Sequence, residues 1–164
     1  MKDSIRFVTY TAVLFALTLV VQILGFPQMV TGPLVNAMLL LATIFAGIAS
    51  GVLIGLFTPW VALLRGILPA PLGPVVPFIM LGNAALVVVF GLFRRKGGFF
   101  LEVVGIVLGA FVKYLILSRA IQFLGGLPPR IAQMMQTPQL VTALLGGVIA
   151  LTLAQALRRM HFGG

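Results

Sequence analysis

Long apolar segments, separated by short breaks rich in Pro, Gly or basic residues, follow one another along the chain. Crossing the hydrocarbon core of a bilayer takes about 20 residues of helix, with about 17 near the minimum. By this count the pattern predicts six transmembrane helices, at about 5–24, 34–47, 50–66, 75–93, 99–123 and 139–158. The apolar run from about 34 to 68 is short for two spans. We therefore expect its two helices to be short or joined by a very tight turn.

The composition supports this interpretation and excludes a soluble domain. The 164 residues are 61% hydrophobic and 8% charged, and the mean hydropathy is +1.21. A soluble protein with so little polar cover would aggregate. The sequence therefore predicts an all-α integral membrane protein with a single transmembrane domain over residues 1–164. Because apolar segments recur to the end, we expect the first to belong to the bundle and not to be a cleaved signal.

The net charge of +9 is distributed as membrane topology requires. Basic residues cluster at the ends of apolar segments, and cytoplasmic loops carry the excess. Six helices with a cytoplasmic N-terminus place seven basic residues inside (Lys2, Arg6, Arg94, Arg95, Lys96, Arg158 and Arg159) and three outside (Arg65, Arg119 and Arg130). Five helices would divide them five to five. We therefore expect both termini to be cytoplasmic. A soluble basic face is missing, which argues against nucleic-acid binding.

Lys113 is an ionisable residue in the middle of a predicted span. Such a group costs about 3 kcal/mol on insertion scales and usually faces a pocket or pathway. Glu102 lies eleven residues away, about 16 Å along a helix, and cannot easily neutralise it. Asn83 is expected at a depth similar to that of Lys113, about a third of the way into the membrane from the outer face. The pair indicates either the polar floor of an outward-facing cavity or a Lys–Asn bond that joins two helices. A lysine that snorkels to the interface is a third interpretation.

The remaining polar and Pro/Gly-rich positions lie near the predicted outer face. Buried amides in lipid need partners, which concerns Gln22, Asn36 and Asn83. The outer loops, at 25–33, 65–74 and 124–138, are rich in Pro and Gly and form either a shaped lid or simple connectors.

Small residues recur at four-residue spacing in several predicted helices. Ala12 and Ala16 lie on one face of the first helix, where they allow another helix to approach closely. Gly47, Gly51 and Gly55 repeat the spacing, and they either pack the second and third helices or mark the turn between them.

The chemistry of most enzymes is missing from the sequence. There is no cysteine, only one histidine (His161), and two acidic residues. No nucleophile–base pair, paired carboxylates, phosphate loop or metal-ligand cluster can be assembled from this set. We therefore expect no enzymatic activity, no cofactor and no metal. The chain also has no nucleotide-binding segment with which to drive transport by ATP.

In layout, the whole chain resembles the substrate-binding S component of energy-coupling factor (ECF) transporters. The resemblance rests on six helices in a chain of this length, on Ala12-x-x-x-Ala16 and on the Gly47-x-x-x-Gly51-x-x-x-Gly55 run. The stretch from Pro77 to Asn83 is also similar to short S components. The resemblance implies capture of a vitamin or related micronutrient outside the cytoplasmic membrane of a prokaryote. It also implies docking, through Ala12 and Ala16, on a transmembrane coupling subunit attached to two cytoplasmic ATPase subunits.

The family's pocket, formed by the first outer loop and the outer halves of helices four to six, maps onto a set of polar residues here. The implied substrate-binding residues are Lys113, Asn83, Tyr114, Arg119, Gln28, Asn36 and Gln139. Cations without nearby acids disfavour a cationic ligand such as thiamine. They favour an anionic or carboxylate-bearing ligand of the pantothenate, nicotinate or lipoate type, although a neutral ligand bound to Asn83 also fits.

Two other classes of function remain open from the sequence. The chain could be a stand-alone small secondary carrier or channel that works as an oligomer. It could also be a structural or assembly protein of the membrane without a ligand. Dependence of uptake on an ATPase module distinguishes an ECF substrate-binding component from both of these classes.

Overall fold

The computed structural model describes the backbone of residues 2–162 and the side chains of residues 4–159. Within that part of the chain all regular structure is helical. The side chains of Lys2 and His161, considered above, lie outside the described residues. The helices are α1 (Lys2–Ile23), α2 (Gln28–Ala46), α3 (Ile48–Leu64), α4 (Val76–Arg95), α5 (Phe99–Leu124), α6 (Pro129–Met134) and α7 (Thr137–Phe162), with a 3₁₀ helix at Ala70–Val75.

The predicted all-helical bundle of six principal helices is confirmed. Five of the helical segments are long and apolar enough to cross a membrane, and α3 is a shorter apolar helix of 17 residues. The most extensive helix–helix contacts are those of α4 with α5 and of α2 with α7. Their shared core is made of small and aliphatic side chains around Phe90, including Ala37, Leu86, Ile106 and Ala143.

The second helix begins earlier than the predicted start at about residue 34. It starts at Gln28 and continues through Pro33. Proline lacks an N–H and normally interrupts a helix, which is why the sequence pattern placed Pro33 in a loop. Only about a turn and a half of α2 precedes Pro33, so its missing N–H affects a single carbonyl, that of Met29. The first outer connection is accordingly reduced to Leu24–Pro27.

The other two outer connections also contain helix where the sequence suggested irregular loops. The 3₁₀ helix lies in the connection between α3 and α4, and α6 lies in the connection between α5 and α7. Leu72 and Val75 of the 3₁₀ helix are fully buried against α5, next to Met135 at the end of α6. These segments therefore belong to the folded body and close its outer end.

A single glycine separates α2 from α3. Gly47 has a φ of +96°, a value that residues other than glycine rarely adopt. Its N–H donates to the Thr43 carbonyl at 3.2 Å. The very tight turn expected for this hairpin is therefore one residue long. A Cβ at Gly47 would meet no neighbouring atom within 4 Å, so this glycine serves the turn and not the packing.

Basic residues gather at one end of the bundle. The α2–α3 turn, the α4–α5 turn and the end of α7 surround a shallow cleft that includes Arg94, Arg95 and Arg158. Arg6 at the start of α1 lines an adjoining cleft that also includes Arg158. The positive-inside rule assigns this end to the cytoplasm. The same rule assigns the opposite end, which carries the 3₁₀ helix and α6, to the outside, and this end is called the outer end.

Glycines allow α5 to approach α4 at backbone distance. A Cβ added to Gly109 would lie 2.9 Å from the carbonyl oxygen of Leu86, and one added to Gly105 would lie 2.9 Å from the Cβ of Phe93. A backbone carbonyl cannot rotate away as a side chain can. The helix axes are therefore set by these glycines, as in other membrane bundles in which small residues line the interface.

Replacing Gly109 with Ala should destabilise the protein, because the new methyl group overlaps the backbone of α4. Overpacking of this kind costs about 1–3 kcal/mol. Thermal unfolding in detergent measures the effect, and Gly73→Ala is the matched control because its nearest neighbour is a flexible leucine carbon at 3.9 Å. Equal melting temperatures for the two variants would contradict the close approach of α4 and α5.

Candidate functional site

Lys113 lies at the centre of a polar cluster contributed by three helices. Its side chain on α5 is 3% exposed, and Nζ donates to Asn36 Oδ1 on α2 at 2.7 Å and to Asn83 Oδ1 on α4 at 2.8 Å. The similar depth expected for Lys113 and Asn83 is realised as a direct hydrogen bond. The cluster thus joins helices, as one interpretation of the sequence proposed, and it also lines a cavity, as the other proposed.

The cluster stabilises the ammonium group with dipoles instead of with an opposite charge. Both partners of Lys113 are neutral amide oxygens. Glu102, the acidic residue whose side chain is described, forms an ion pair with Arg94 near the inner end of the bundle. Among the described side chains, no carboxylate therefore cancels the charge of Lys113. A buried cation solvated in this way still attracts an anion.

Pro59 helps to orient Asn83. Because proline has no N–H, the carbonyl four residues earlier, that of Gly55, receives no helical bond from position 59. Asn83 Nδ2 donates to this Gly55 carbonyl at 3.0 Å. With its NH₂ group engaged, the amide presents its oxygen to Lys113. A proline inside α3 therefore determines the hydrogen-bonding direction of a side chain on α4.

Each member of the cluster contacts a glycine on a neighbouring helix. A Cβ on Gly55 would lie 3.0 Å from Asn83 Cβ, and one on Gly82 would lie 3.1 Å from Lys113 Cγ. A Cβ on Gly146 of α7 would lie 2.6 Å from Asn36 Cβ. Three glycines therefore make room for the three polar side chains. Two of the three, Gly82 and Gly146, were not expected from the sequence because they stand outside the four-residue repeats noted there.

The cavity beside the cluster has a volume of about 90 Å³ and lies toward the outer end of the bundle. Its polar lining comes from α1, α2, α3, α4, α5 and α7 and consists of Gln22, Gln28, Thr31, Asn36, Thr58, Asn83, Lys113 and Gln139. Pockets that hold small organic ligands usually measure about 300–1,000 Å³. A ligand of vitamin size therefore enters only if a wall of this cavity moves.

Five of the seven expected substrate-binding residues line this cavity, namely Lys113, Asn83, Gln28, Asn36 and Gln139. Tyr114 and Arg119 do not. Tyr114 packs on Phe111, with ring centroids 6.2 Å apart, and exposed Arg119 donates to Gln122 at 3.4 Å. At 100° per residue, Arg119 points about 120° away from Lys113 around α5, and Tyr114 about 100° away. Helical phase therefore accounts for the absence of these two side chains from the lining of this cavity.

Two cavity residues, Gln22 on α1 and Thr58 on α3, were missed as members of the site. The sequence predicts Gln22 only as a buried amide that needs a partner, and it predicts no role for Thr58. Gln22 Nε2 donates to the Thr58 carbonyl at 3.4 Å. The adjacent Thr58-Pro59 pair inside an apolar helix is the sequence signal that could have drawn attention to α3.

The small residues proposed for docking have open surroundings. Ala12 and Ala16 are exposed on α1, which is the least buried of the five longest spans. Gly51 and Gly55 face α2 and α4 inside the bundle.

Among the described residues, no group of three or more His, Cys, Asp or Glu side chains is arranged to hold a metal ion.

Comparison with known proteins identifies the family. The family model for "ECF transporter, substrate-specific component" matches residues 6–158, which is nearly the whole chain. No match was found among curated proteins or among solved structures. The resemblance inferred from the helix count and the small-residue motifs is thereby confirmed. The chain belongs to the family of ECF transporter substrate-specific components.

Proposed function

We propose that this substrate-specific component captures an anionic, carboxylate-bearing micronutrient in the cavity beside Lys113. The observation that supports the proposal is the buried ammonium group, which is held by two neutral amides in the wall of that cavity. A carboxylate that reached Nζ would gain a charge-assisted hydrogen bond in a medium of low dielectric constant. Molecules of the pantothenate, nicotinate or lipoate type provide such a group.

The electrostatics of the cavity disfavour a cationic cargo. Its described lining contains one cation and no carboxylate, so a positively charged ring such as that of thiamine would meet repulsion without compensation. Specificity of this kind arises as much from the penalty on the wrong ligand as from attraction of the right one. The same unneutralised cation therefore selects for anions and against cations.

The position of the cavity supports uptake and not export. The basic end of the bundle, with Arg94, Arg95 and Arg158, is cytoplasmic by the positive-inside rule, and the cavity lies toward the other end. The subunit would bind its cargo from outside the cytoplasmic membrane of a prokaryote. It would then dock on a transmembrane coupling subunit that carries two ATPases, through the exposed face of α1 that holds Ala12 and Ala16.

Native mass spectrometry of gently purified protein tests the nature of the cargo. We expect an adduct whose mass matches a small carboxylic acid. Uptake measured in cells with and without the ATPase subunits tests the mode of action. Uptake by the lone protein that persists without the ATPases would contradict the proposal and favour an independent carrier.

Lys113→Met should weaken binding of the carboxylate cargo strongly, because it removes the charge and keeps the apolar stem. Loss of one partner of a buried charged hydrogen bond costs about 2 kcal/mol or more, which is roughly thirtyfold in Kd. Titration calorimetry with pantothenate, nicotinate and lipoate measures the change. Arg119→Met is the control, since it removes a cation from the same helix outside the cavity and should leave Kd unchanged. Equal effects of the two substitutions would contradict a specific role of Lys113.

Ala12→Leu and Ala16→Leu should prevent assembly with the coupling subunit while cargo binding by the isolated protein remains intact. Leucine at either position adds three carbon atoms to a face that must approach another helix closely. Co-purification with the coupling subunit measures assembly. Ala156→Leu, at an exposed alanine of α7, is the matched control. Normal assembly of both α1 variants would show that this face is not the docking surface.

A further inference from the structure

Two buried oxygen atoms in the cavity wall have no hydrogen-bond partner among the described residues. They are Gln22 Oε1 on α1 and Thr58 Oγ1 on α3. The two residues are 6% and 1% exposed, and both line the cavity that contains Lys113. Leaving such groups unsatisfied in an apolar bundle lowers stability, so most buried polar groups in proteins are paired.

Thr58 differs from the other buried threonines of the bundle. Thr18, Thr31, Thr43 and Thr142 each donate their hydroxyl to a backbone carbonyl three to five residues earlier. That bond is the usual solution for a threonine in a membrane helix. The hydroxyl of Thr58 makes no such bond. It therefore retains both its donor and its acceptor capacity at the cavity wall.

Gln22 has already used its donor side. Its Nε2 donates to the Thr58 carbonyl at 3.4 Å, which leaves Oε1 as an acceptor without a donor. An amide oxygen can only accept, so its missing partner must carry an N–H or O–H group. The groups without a hydrogen-bond partner at this place are thus the acceptor oxygen of Gln22 and the hydroxyl of Thr58.

We propose that Gln22 and Thr58 form a second subsite of the cavity, which binds a hydroxyl or amide N–H group of the cargo. The inference rests on the proposed function, in which the carboxylate of the same cargo lies on Lys113. It narrows the substrate class to carboxylates that also carry hydrogen-bond donors elsewhere in the molecule. Pantothenate, with an amide N–H and two hydroxyls, meets this requirement. Lipoate, with an apolar tail, and nicotinate, whose ring nitrogen is an acceptor, do not.

The location of the subsite also indicates which wall moves. The cavity of about 90 Å³ is too small for such a molecule, so the ligand must separate two elements. The Gln22–Thr58 contact lies between α1 and α3, its length of 3.4 Å is near the limit for a hydrogen bond, and α1 is the least buried of the five longest spans. Separation of α1 from α3 exchanges this long contact for bonds to the ligand.

Binding of three probes to four proteins tests the subsite. Wild type, Gln22→Met, Thr58→Val and the control Thr18→Val are titrated with pantothenate, lipoate and nicotinate. We expect wild type to bind pantothenate at least tenfold more tightly than the other two. Gln22→Met and Thr58→Val should each raise the Kd for pantothenate about tenfold and change the Kd for the other two probes less than twofold. Equal weakening of all three probes, or of none, would overturn the proposal.

Thermal unfolding of the ligand-free protein provides a test that does not depend on any probe. Thr58→Val removes an unsatisfied hydroxyl and should raise Tm by about 2 °C or more, whereas Thr18→Val removes a bonded hydroxyl and should not. An unchanged or lower Tm for Thr58→Val would overturn the second subsite. If wild type binds none of the three carboxylates, the anionic cargo is wrong, and the Tm of Thr58→Val alone then decides on the subsite.

Discussion

A charged amine buried in an apolar bundle must be solvated by the protein itself, and this requirement determines the arrangement of the outer half of the molecule. Lys113 obtains two amide oxygens, from α2 and α4, and each partner must be brought to within hydrogen-bond distance. Glycines on α3, α4 and α7 remove the side chains that would prevent this approach. Pro59 releases the carbonyl that orients Asn83. A single residue thus explains several features of four neighbouring helices.

The helical class and the helix count could be predicted from the sequence, because apolar segments of transmembrane length have few alternatives. The pairing of Lys113 with Asn83 followed from counting residues inward from the outer ends of two helices. Helical phase was not used in the same way, and for this reason Arg119 was assigned to the pocket although it points away from Lys113. The start of α2 was missed because Pro33 interrupts the pattern without ending the helix. The polar residues of α1 and α3 were missed because nothing local to Gln22 or Thr58 indicates that they face each other.

The cavity combines two chemical environments on different helices. Lys113, Asn36 and Asn83 form a charged end on α5, α2 and α4, and Gln22 with Thr58 forms a neutral end on α1 and α3. Helix α1 also carries Ala12 and Ala16 on its exposed surface. At 100° per residue, Gln22 lies about 80° and about 120° around α1 from Ala12 and Ala16, so the cavity residue and the two alanines belong to adjoining faces of this helix. Under the proposed function, α1 would contact both the cargo and the coupling subunit.

The one-residue turn at Gly47 has a consequence for the surrounding lipid. Helix α3 has 17 residues and is about 26 Å long, whereas α5 and α7 have 26 residues each and are about 39 Å long. The hydrocarbon core of a bilayer is about 30 Å thick. The lipid-facing side chains of α3, which include Phe57 and Trp60, therefore cover less than the full thickness of the hydrocarbon core. Hydrophobic mismatch must be relieved by a thinner bilayer beside α3 or by tilt of the longer helices. The shortest span also lies next to the least buried one, α1, so the mismatch is concentrated on one side of the bundle.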